Sequence, residues 1–272
     1  MRNLLALILA VAAAALLLAC TKGTEETPDG AEPERQTADA DTMTLRVVDG
    51  AGSDTLVLAG ETEIYTLPLE GLTLYLDNGS VDASAIENGM TAEVWYTGGV
   101  QETYPAQFSQ VAAVSLSREG DARYDLCGLY LQVLEDLWNT DEGLNGGAAV
   151  VSVDLSKAPG GLTAGEKAAV AYAFAQKHGA QGLTMTFDEL REEGYLAAEK
   201  MENGDTAYSF TDGLLFTITP DESAEGEDFT VPAICFSAGK WRSPLGAYYF
   251  ANCTASRGDS GWEYTVGAEL IS

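Results

Sequence analysis

The sequence has few basic residues and a single histidine. It carries 14 Lys+Arg against 42 Asp+Glu, which gives a formal net charge of -28. Nucleic acids and anionic lipid surfaces both need clustered Lys and Arg, so this shortage argues against either as a partner of the protein body. One histidine, His178, leaves little of the usual acid–base and zinc chemistry. The 46% hydrophobic content is nevertheless enough for packed cores.

The common catalytic motifs are also missing. The sequence contains no Gly-rich phosphate loop, no H-E-x-x-H, no G-x-S-x-G and no C-x-x-C. Ser237 and Lys240 fit S-x-x-K, but they follow a strand-like run instead of opening a helix, and the companion motifs are absent. His178 stands before Gly179 at the end of a helical pattern, which predicts a capping role. We therefore predict no catalytic residue and no cofactor.

Two acidic segments are weak candidates for a metal site. Asp221–Asp228 holds five acids in eight residues but lacks the ordered spacing of a calcium loop, so it is predicted to be a solvated loop. Asp77–Asp82 places oxygen donors around a glycine, and it is predicted to be a hairpin turn. No metal site is predicted.

Four cysteines leave the disulfide state open. After Cys20 the chain has Cys127, Cys235 and Cys253, so one disulfide at most can form within the monomer. The sequence does not choose among the three pairings or no pairing. Buried structural thiols are the default prediction.

The N-terminus has the features of an export signal. A short positive start precedes an uncharged run from Leu4 to Leu18, which is too short for a membrane span of roughly 20 residues. The run ends in Leu17-Leu18-Ala19-Cys20, and this stretch resembles a bacterial lipoprotein signal with its lipobox. The resemblance implies that residues 1–19 are removed and that Cys20 is joined to diacylglycerol. It also implies an extracytoplasmic protein held to the cell membrane by its lipid.

Residues 20–43 are predicted to be a disordered acidic tether. Between Thr21 and Asp41 there is no aromatic residue, and seven carboxylates face only Lys22 and Arg35. Such a segment cannot bury enough surface to offset its ordering entropy.

Residues 44–118 are predicted to form a small β-barrel. Turn pairs such as Asn78-Gly79 and Gly98-Gly99 separate short β-rich runs. The runs are Thr44–Val48, Thr55–Leu58, Glu63–Leu69, Leu72–Leu76, Ala92–Thr97 and Phe108–Leu116. The sequence ENGMTAEVWYTGG, followed by Tyr104-Pro105-Ala106-Gln107, resembles small OB-fold-like domains of unknown function in lipoproteins of Gram-positive bacteria. The resemblance covers about 75 residues and implies a five- to six-stranded barrel.

Residues 124–272 are predicted to form an α+β domain with helices on one face of an antiparallel sheet. Apolar spacing predicts a helix over 124–139, and a capping box at Thr163 opens a second helix that ends near Lys177. A second capping box at Thr186 opens a short helix. Strands are predicted at Ala148–Leu155, Thr206–Phe210, Leu214–Thr219, Phe229–Phe236, Gly246–Ala255 and Trp262–Leu270. Helices followed by strands are typical of this fold class.

Lys240, Trp241 and Arg242 form the only tight basic–aromatic cluster of the acidic body. They are the candidate ligand-binding residues, for an anionic ligand or a carboxylate of a partner. The alternative is structural, with Trp241 anchoring a loop while the two cations offset nearby acids.

Three functional hypotheses follow. The leading one is a non-catalytic binding or cell-envelope accessory protein, whose partner is an envelope protein, a peptide or a glycan. The alternative is a hydrolase of cell-wall polymer or peptide that works through carboxylates, which leave no sequence motif. The third is a mechanical spacer.

Overall fold

Strands dominate the computed structural model, which describes residues 39–118, 125–221, 233–258 and 261–272. Strand makes up 49% and helix 19% of a mostly β fold built from curled, half-barrel sheets. The predicted signal peptide, Cys20, the tether before residue 39 and residues 119–124, where the two predicted units meet, lie outside these residues. All of the acidic segment except Asp221 also lies outside them.

The first sheet follows the predicted strands and has the order β3-β2-β1-β6-β7-β4-β5. Its strands are β1 Asp41–Asp49, β2 Thr55–Ala59, β3 Ile64–Pro68, β4 Leu74–Leu76, β5 Gly79–Val81, β6 Thr91–Gln101 and β7 Gln107–Ser117. β4 pairs with β7 in parallel, and the other neighbours are antiparallel. Ala106, just before β7, donates to the Ile64 carbonyl at 2.9 Å and accepts from the Thr66 N–H at 3.2 Å. The sheet therefore curls until β3 meets the start of β7.

The turn predictions in this sheet have mixed outcomes. Asp77 and Asn78 both have positive φ between the paired residues Leu76 and Gly79, which is a two-residue hairpin turn as predicted. Gly98 and Gly99 do not end a strand, so that prediction is wrong. They lie inside β6, where the register with β7 shifts between Thr97 and Val100. Their positive φ values suit a bulge, which bends a strand without ending it.

The second sheet is mixed, whereas the sequence predicted an antiparallel one. Its strands are β8 Val150–Asp154, β9 Gln181–Leu183, β12 Gly213–Pro220, β13 Ala233–Ser243, β14 Gly246–Gly258, β15 Gly261–Thr265 and β16 Ala268–Ile271. The order is β15-β14-β13-β12-β8-β9, and β16 also pairs with β14. β8 runs parallel to both β12 and β9, and a helix between β8 and β9 provides the crossover that this second pairing needs. A separate hairpin joins β10 Ala197–Lys200 to β11 Thr206–Ser209.

Three helices follow their sequence signals closely. They are α1 Leu126–Asn139, α2 Ala164–Lys177 and α3 Phe187–Glu192. Both predicted capping boxes are confirmed: Thr163 pairs with Glu166 at the start of α2, and Thr186 pairs with Glu189 at the start of α3. His178 is the C-terminal cap of α2, as predicted.

One apolar cluster joins the two sheets through the helices. Leu56 and Leu58 of β2 point into the curled first sheet, while Val57 and Ala59 pack with residues of α1, α2 and the second sheet. β2 is therefore buried on both faces, which explains its unbroken apolar sequence TLVLA. A smaller cluster lies under α3 and includes Leu190 and Phe210.

Candidate functional site

An open groove lies where α2, β9 and the loop before β7 meet. The described residues that line it are Tyr104, Tyr172, Gln176, Gln181, Gly182, Leu183, Thr184 and Met185, and we call this site the tyrosine groove. Its volume is about 460 Å³, within the roughly 300–1,000 Å³ range of ligand sites. Its lining combines aromatic, amide and hydroxyl groups.

Helix α2 and strand β9 position the two polar walls. Tyr172 and Gln176 are four residues apart on α2 and therefore share one face of the helix. Gln181 lies on β9, which is the edge of its sheet. Gly182 lets the strand approach the helix closely, because a Cβ atom there would lie 3.0 Å from the Ala171 carbonyl oxygen and 3.1 Å from the Ala175 Cβ. The strand and the helix thus form a closely packed base under the groove.

Tyr104 closes the third side. It precedes Pro105 through a cis peptide bond, and Ala106 is bonded to β3 as described above. The Tyr104 side chain is 65% exposed, and its ring meets the Tyr172 ring edge-to-face with centroids 6.4 Å apart. Although the side chain is largely exposed, partial desolvation, with smaller effects from Tyr172 and Glu63, raises the pKa of Tyr104 above its ordinary value. The phenol is therefore neutral and available as a hydrogen-bond donor.

A second groove, which we call the hairpin groove, lies between the β10–β11 hairpin and the β13–β14 turn. Its volume is about 720 Å³. Met201 and Leu245 border it with exposures of 53% and 91%, and Tyr208 lies between the hairpin strands and the cluster under α3. Glu199, Lys200 and Glu202 place charges of both signs on the same walls.

A closed crevice holds one buried and one half-buried carboxylate. Asp125 and Glu166 line it together with Arg46, whose Nε lies 3.7 Å from the Glu166 carboxylate. Burial raises the pKa of Asp125 to about 6, against the opposing effects of its bond to Gly128 and of Arg46 and Arg257. The crevice has no room for a water-sized molecule. Asp125 accepts the Gly128 N–H at 3.1 Å and Glu166 accepts the Thr163 N–H at 2.8 Å, so both carboxylates serve as helix caps.

The predicted ligand residues Lys240, Trp241 and Arg242 lie together on β13, but their polar groups are directed at the chain itself. The buried Lys240 ammonium donates to the carbonyls of Trp138, Thr140 and Asp141 and to the Asn145 side chain. Arg242 donates to three carbonyls, those of Leu144, Gly146 and Thr211. Trp241 packs against Phe187 with ring centroids 5.1 Å apart. The described bonds of the two cations go to carbonyl and amide oxygens, not to the nearby acids of the structural alternative, and Trp241 packs on helix α3. Ligand binding at this cluster stays a prediction.

His178 is enclosed by other side chains. Its Nε2 lies 3.1 Å from a Glu135 oxygen, and its ring stacks on Trp138 at 3.8 Å between centroids. Lys177 contacts the other oxygen of Glu135 at 3.1 Å. The three residues link the end of α2 to α1.

The remaining serine, cysteine and carboxylate candidates do not come together in a catalytic or metal-binding arrangement among the described residues. Ser237 donates to Asp221 at 3.4 Å and lies inside β13, with no contact to Lys240 among its described bonds. Cys127, Cys235 and Cys253 are present as thiols, and burial raises the pKa of Cys253 to about 11. Across the part of the chain described, no three His, Cys, Asp or Glu side chains gather closely enough to hold a metal ion.

Sequence reasoning missed the tyrosine groove. Gln181–Leu183 is too short for a strand signal, and Tyr104 lies about 70 residues before Tyr172. Of its parts, only the helix carrying Tyr172 was predicted from the sequence.

The sequence matches no protein-family model, no curated protein and no solved structure. Among the described residues, no helix has both the length and the apolar character needed to cross a membrane.

Proposed function

We propose that this protein is a lipid-anchored, extracytoplasmic bacterial lipoprotein with a non-catalytic binding or cell-envelope accessory role. The observation that carries the binding role is the open tyrosine groove, whose described lining has donors, acceptors and aromatic rings but no carboxylate, histidine or cysteine. Such a lining can hold a ligand, and its tyrosine and threonine hydroxyls have no histidine or carboxylate beside them in the described lining to activate them. An envelope protein, a peptide or a glycan is the proposed partner, and nucleic acid is not.

The anchor is the lipid on Cys20, in the membrane of a Gram-positive cell. Two acyl chains hold a protein stably at a membrane, whereas one chain binds only marginally. The body carries a large negative charge and would be repelled by anionic headgroups, so the lipid has to provide the attachment.

Palmitate labelling tests the anchor. Cells that express the full chain and are fed radiolabelled palmitate should yield a labelled protein in the membrane fraction. Cys20→Ser should lose the label and leave that fraction. An unlabelled native protein, or a Cys20→Ser variant that still sediments with membranes, would overturn this part of the proposal.

We also propose that residues 44–118 form an OB-like barrel and residues 124–272 an α+β module. The first is supported by the strand order and by the parallel contact of Tyr65 with Ala106. This contact brings together β3 and the start of β7, the two ends of the path β3-β2-β1-β6-β7 within the seven-stranded sheet. The second is supported by the packing of α1 and α2 in one apolar cluster with the second sheet.

The carboxylate hydrolase is the second candidate, and Asp125 with Glu166 is the observation in its favour. A buried carboxylate pair with one raised pKa is a typical acid–base arrangement. The closed crevice and the capping bonds weigh against it. We expect no turnover of generic peptidase, esterase or glycosidase substrates by the purified protein. Turnover that both Asp125→Asn and Glu166→Gln abolish would favour the hydrolase.

A further inference from the structure

We propose that the tyrosine groove binds a neutral oligosaccharide, an inference that rests on the binding role proposed above and names its ligand class. Uncharged aromatic, amide and hydroxyl groups are gathered on one open surface of a strongly acidic protein.

Charge is the first argument. None of the described lining residues is charged near neutral pH, although the chain carries 42 Asp+Glu and 14 Lys+Arg. A net charge of -28 repels anions from the whole surface. A cation would find no carboxylate in the described lining, although Glu63 is near enough for its charge to raise the pKa of Tyr104. The groove therefore suits a ligand without charge.

The tyrosines provide the second argument. Tyr104 and Tyr172 meet edge-to-face, so their ring faces point in different directions. Tyr104 is 65% exposed and Tyr172 is half-buried, which leaves aromatic surface open to the groove. An aromatic face with a polar tip suits ligands that are apolar on one side and hydroxylated on the other. A pyranose ring has this character.

The amides provide the third argument. Gln176 on α2 and Gln181 on β9 are both exposed and stand on different walls, with Thr184 between β9 and α3. Each carboxamide offers two donors and an acceptor, and each threonine hydroxyl offers both roles. Neighbouring sugar hydroxyls are also donors and acceptors at once, so they can pair with such groups without leaving a polar group unsatisfied.

An extended peptide added to the edge of β9 is the competing ligand. β9 has only three residues, and Gln181 already donates to the Ala149 carbonyl of the neighbouring segment. Because main-chain groups of a parallel strand alternate in direction, only Gly182 turns both of its groups outward. Hydrogen bonds from the main chain of one residue are too few to hold an added peptide strand. Binding in the groove would therefore depend on its side chains, which suit a glycan.

Titration calorimetry tests the proposal on the full chain, purified in a detergent that has no sugar headgroup. Chitohexaose, cellohexaose and maltohexaose are the probes, and we expect at least one to bind with a dissociation constant below about 1 mM. Tyr104→Ala should weaken that binding about tenfold or more, since it removes an exposed ring. Tyr104→Phe keeps the ring and should stay within about threefold of the native affinity.

Two further variants test whether glycan binding depends on the tyrosine groove and not on another part of the surface. Leu245→Ala alters the hairpin groove and should leave glycan affinity unchanged. Gln181→Ala should weaken it, and since Gln181 is exposed, thermal unfolding should show that this variant stays folded.

Three results would overturn the proposal. The first is a dissociation constant above about 1 mM for all three glycans. The second is equal glycan affinity of the native protein and Tyr104→Ala. The third is binding of an uncharged peptide of alternating Thr and Val when no glycan binds. Because the assay does not depend on the lipid, such a failure would leave the Cys20 labelling result standing.

Discussion

Lys240 caps the C-terminal end of helix α1, because its ammonium donates to the Thr140 carbonyl. The two residues are 100 positions apart in the chain. The Lys240 ammonium is fully buried, and burial lowers its pKa to about 8, with Asp141 and Glu142 opposing this effect. Four acceptors surround it, which is the compensation that a buried cation needs. Sequence alone could not place these acceptors, since nothing local to Lys240 indicates that the end of α1 lies against β13.

Ionisation of Asp125 should change how the free energy of unfolding depends on pH. Its folded-state pKa of about 6 exceeds the ordinary aspartate pKa of about 4. Between these values the folded protein holds a proton that the unfolded chain has released, so this group lowers the free energy of unfolding as pH rises from about 4 to about 6.

Asp125→Asn should remove that contribution. Asparagine keeps an acceptor for the Gly128 N–H and tolerates the left-handed backbone at this position, where φ is 54°. Relative to the native protein, the variant should gain up to about 3 kcal/mol in the free energy of unfolding between pH 4 and pH 7. Urea unfolding at four pH values measures this. Asp188→Asn, at an exposed carboxylate, is the control and should follow the native curve. Parallel curves for native protein and Asp125→Asn would contradict the assignment.

At the scale of elements, the two capping boxes differ in whether their threonine hydroxyl also bonds to a residue outside the helix. Thr163 accepts the Glu166 N–H at 3.0 Å and also donates to the Gly60 carbonyl at 3.1 Å, which ties α2 to the loop between β2 and β3. Thr186 accepts the Glu189 N–H at 3.3 Å at an exposed site and bonds only within its own box.

Thr163→Ala and Thr186→Ala therefore form a matched pair. Loss of an N-cap costs roughly 0.5–2 kcal/mol of stability. We expect Thr163→Ala near the upper end, at about 2 kcal/mol, because it also leaves the Gly60 carbonyl without this donor. Thr186→Ala should cost about 1 kcal/mol or less. Chemical unfolding of both variants decides the matter, and equal losses would show that the bond to Gly60 adds nothing.

These elements also show which parts of the fold the sequence could predict. Both capping boxes, α1 and the hairpin at Asp77 and Asn78 depend on neighbouring residues, and all were predictable. Strands β9 and β10 were missed because three or four residues carry too little periodicity. The parallel pairing of β8 with β12 depends on contacts across about 60 residues, so no local pattern could indicate it.

At the scale of the whole molecule, β2 links the two sheets. Leu56 faces the interior of the first sheet, and Val57 faces α1, α2 and the second sheet. A strand buried on both faces cannot lose one side without exposing apolar surface to water. The sequence predicted two folded units, 44–118 and 124–272, and that division stays a prediction.

We expect the folded part to unfold in a single transition. Leu56→Ala and Val57→Ala change opposite faces of β2, yet both should lower the midpoint of the same transition, with Leu56→Ala costing about 2–4 kcal/mol. Near- and far-ultraviolet circular dichroism should coincide for both variants. Two separated transitions, each sensitive to only one of the substitutions, would mean that the sheets unfold independently.

The burial of β2 on both faces also has a consequence for folding during synthesis of the chain. Val57 and Ala59 are synthesised about 120 residues before α2 is complete, which at typical synthesis rates is about 6 to 24 seconds. During that interval the outer face of the nascent first sheet has no helix to cover it. A chaperone that shields this apolar face until Lys177 has been synthesised would therefore raise the yield of correctly assembled protein.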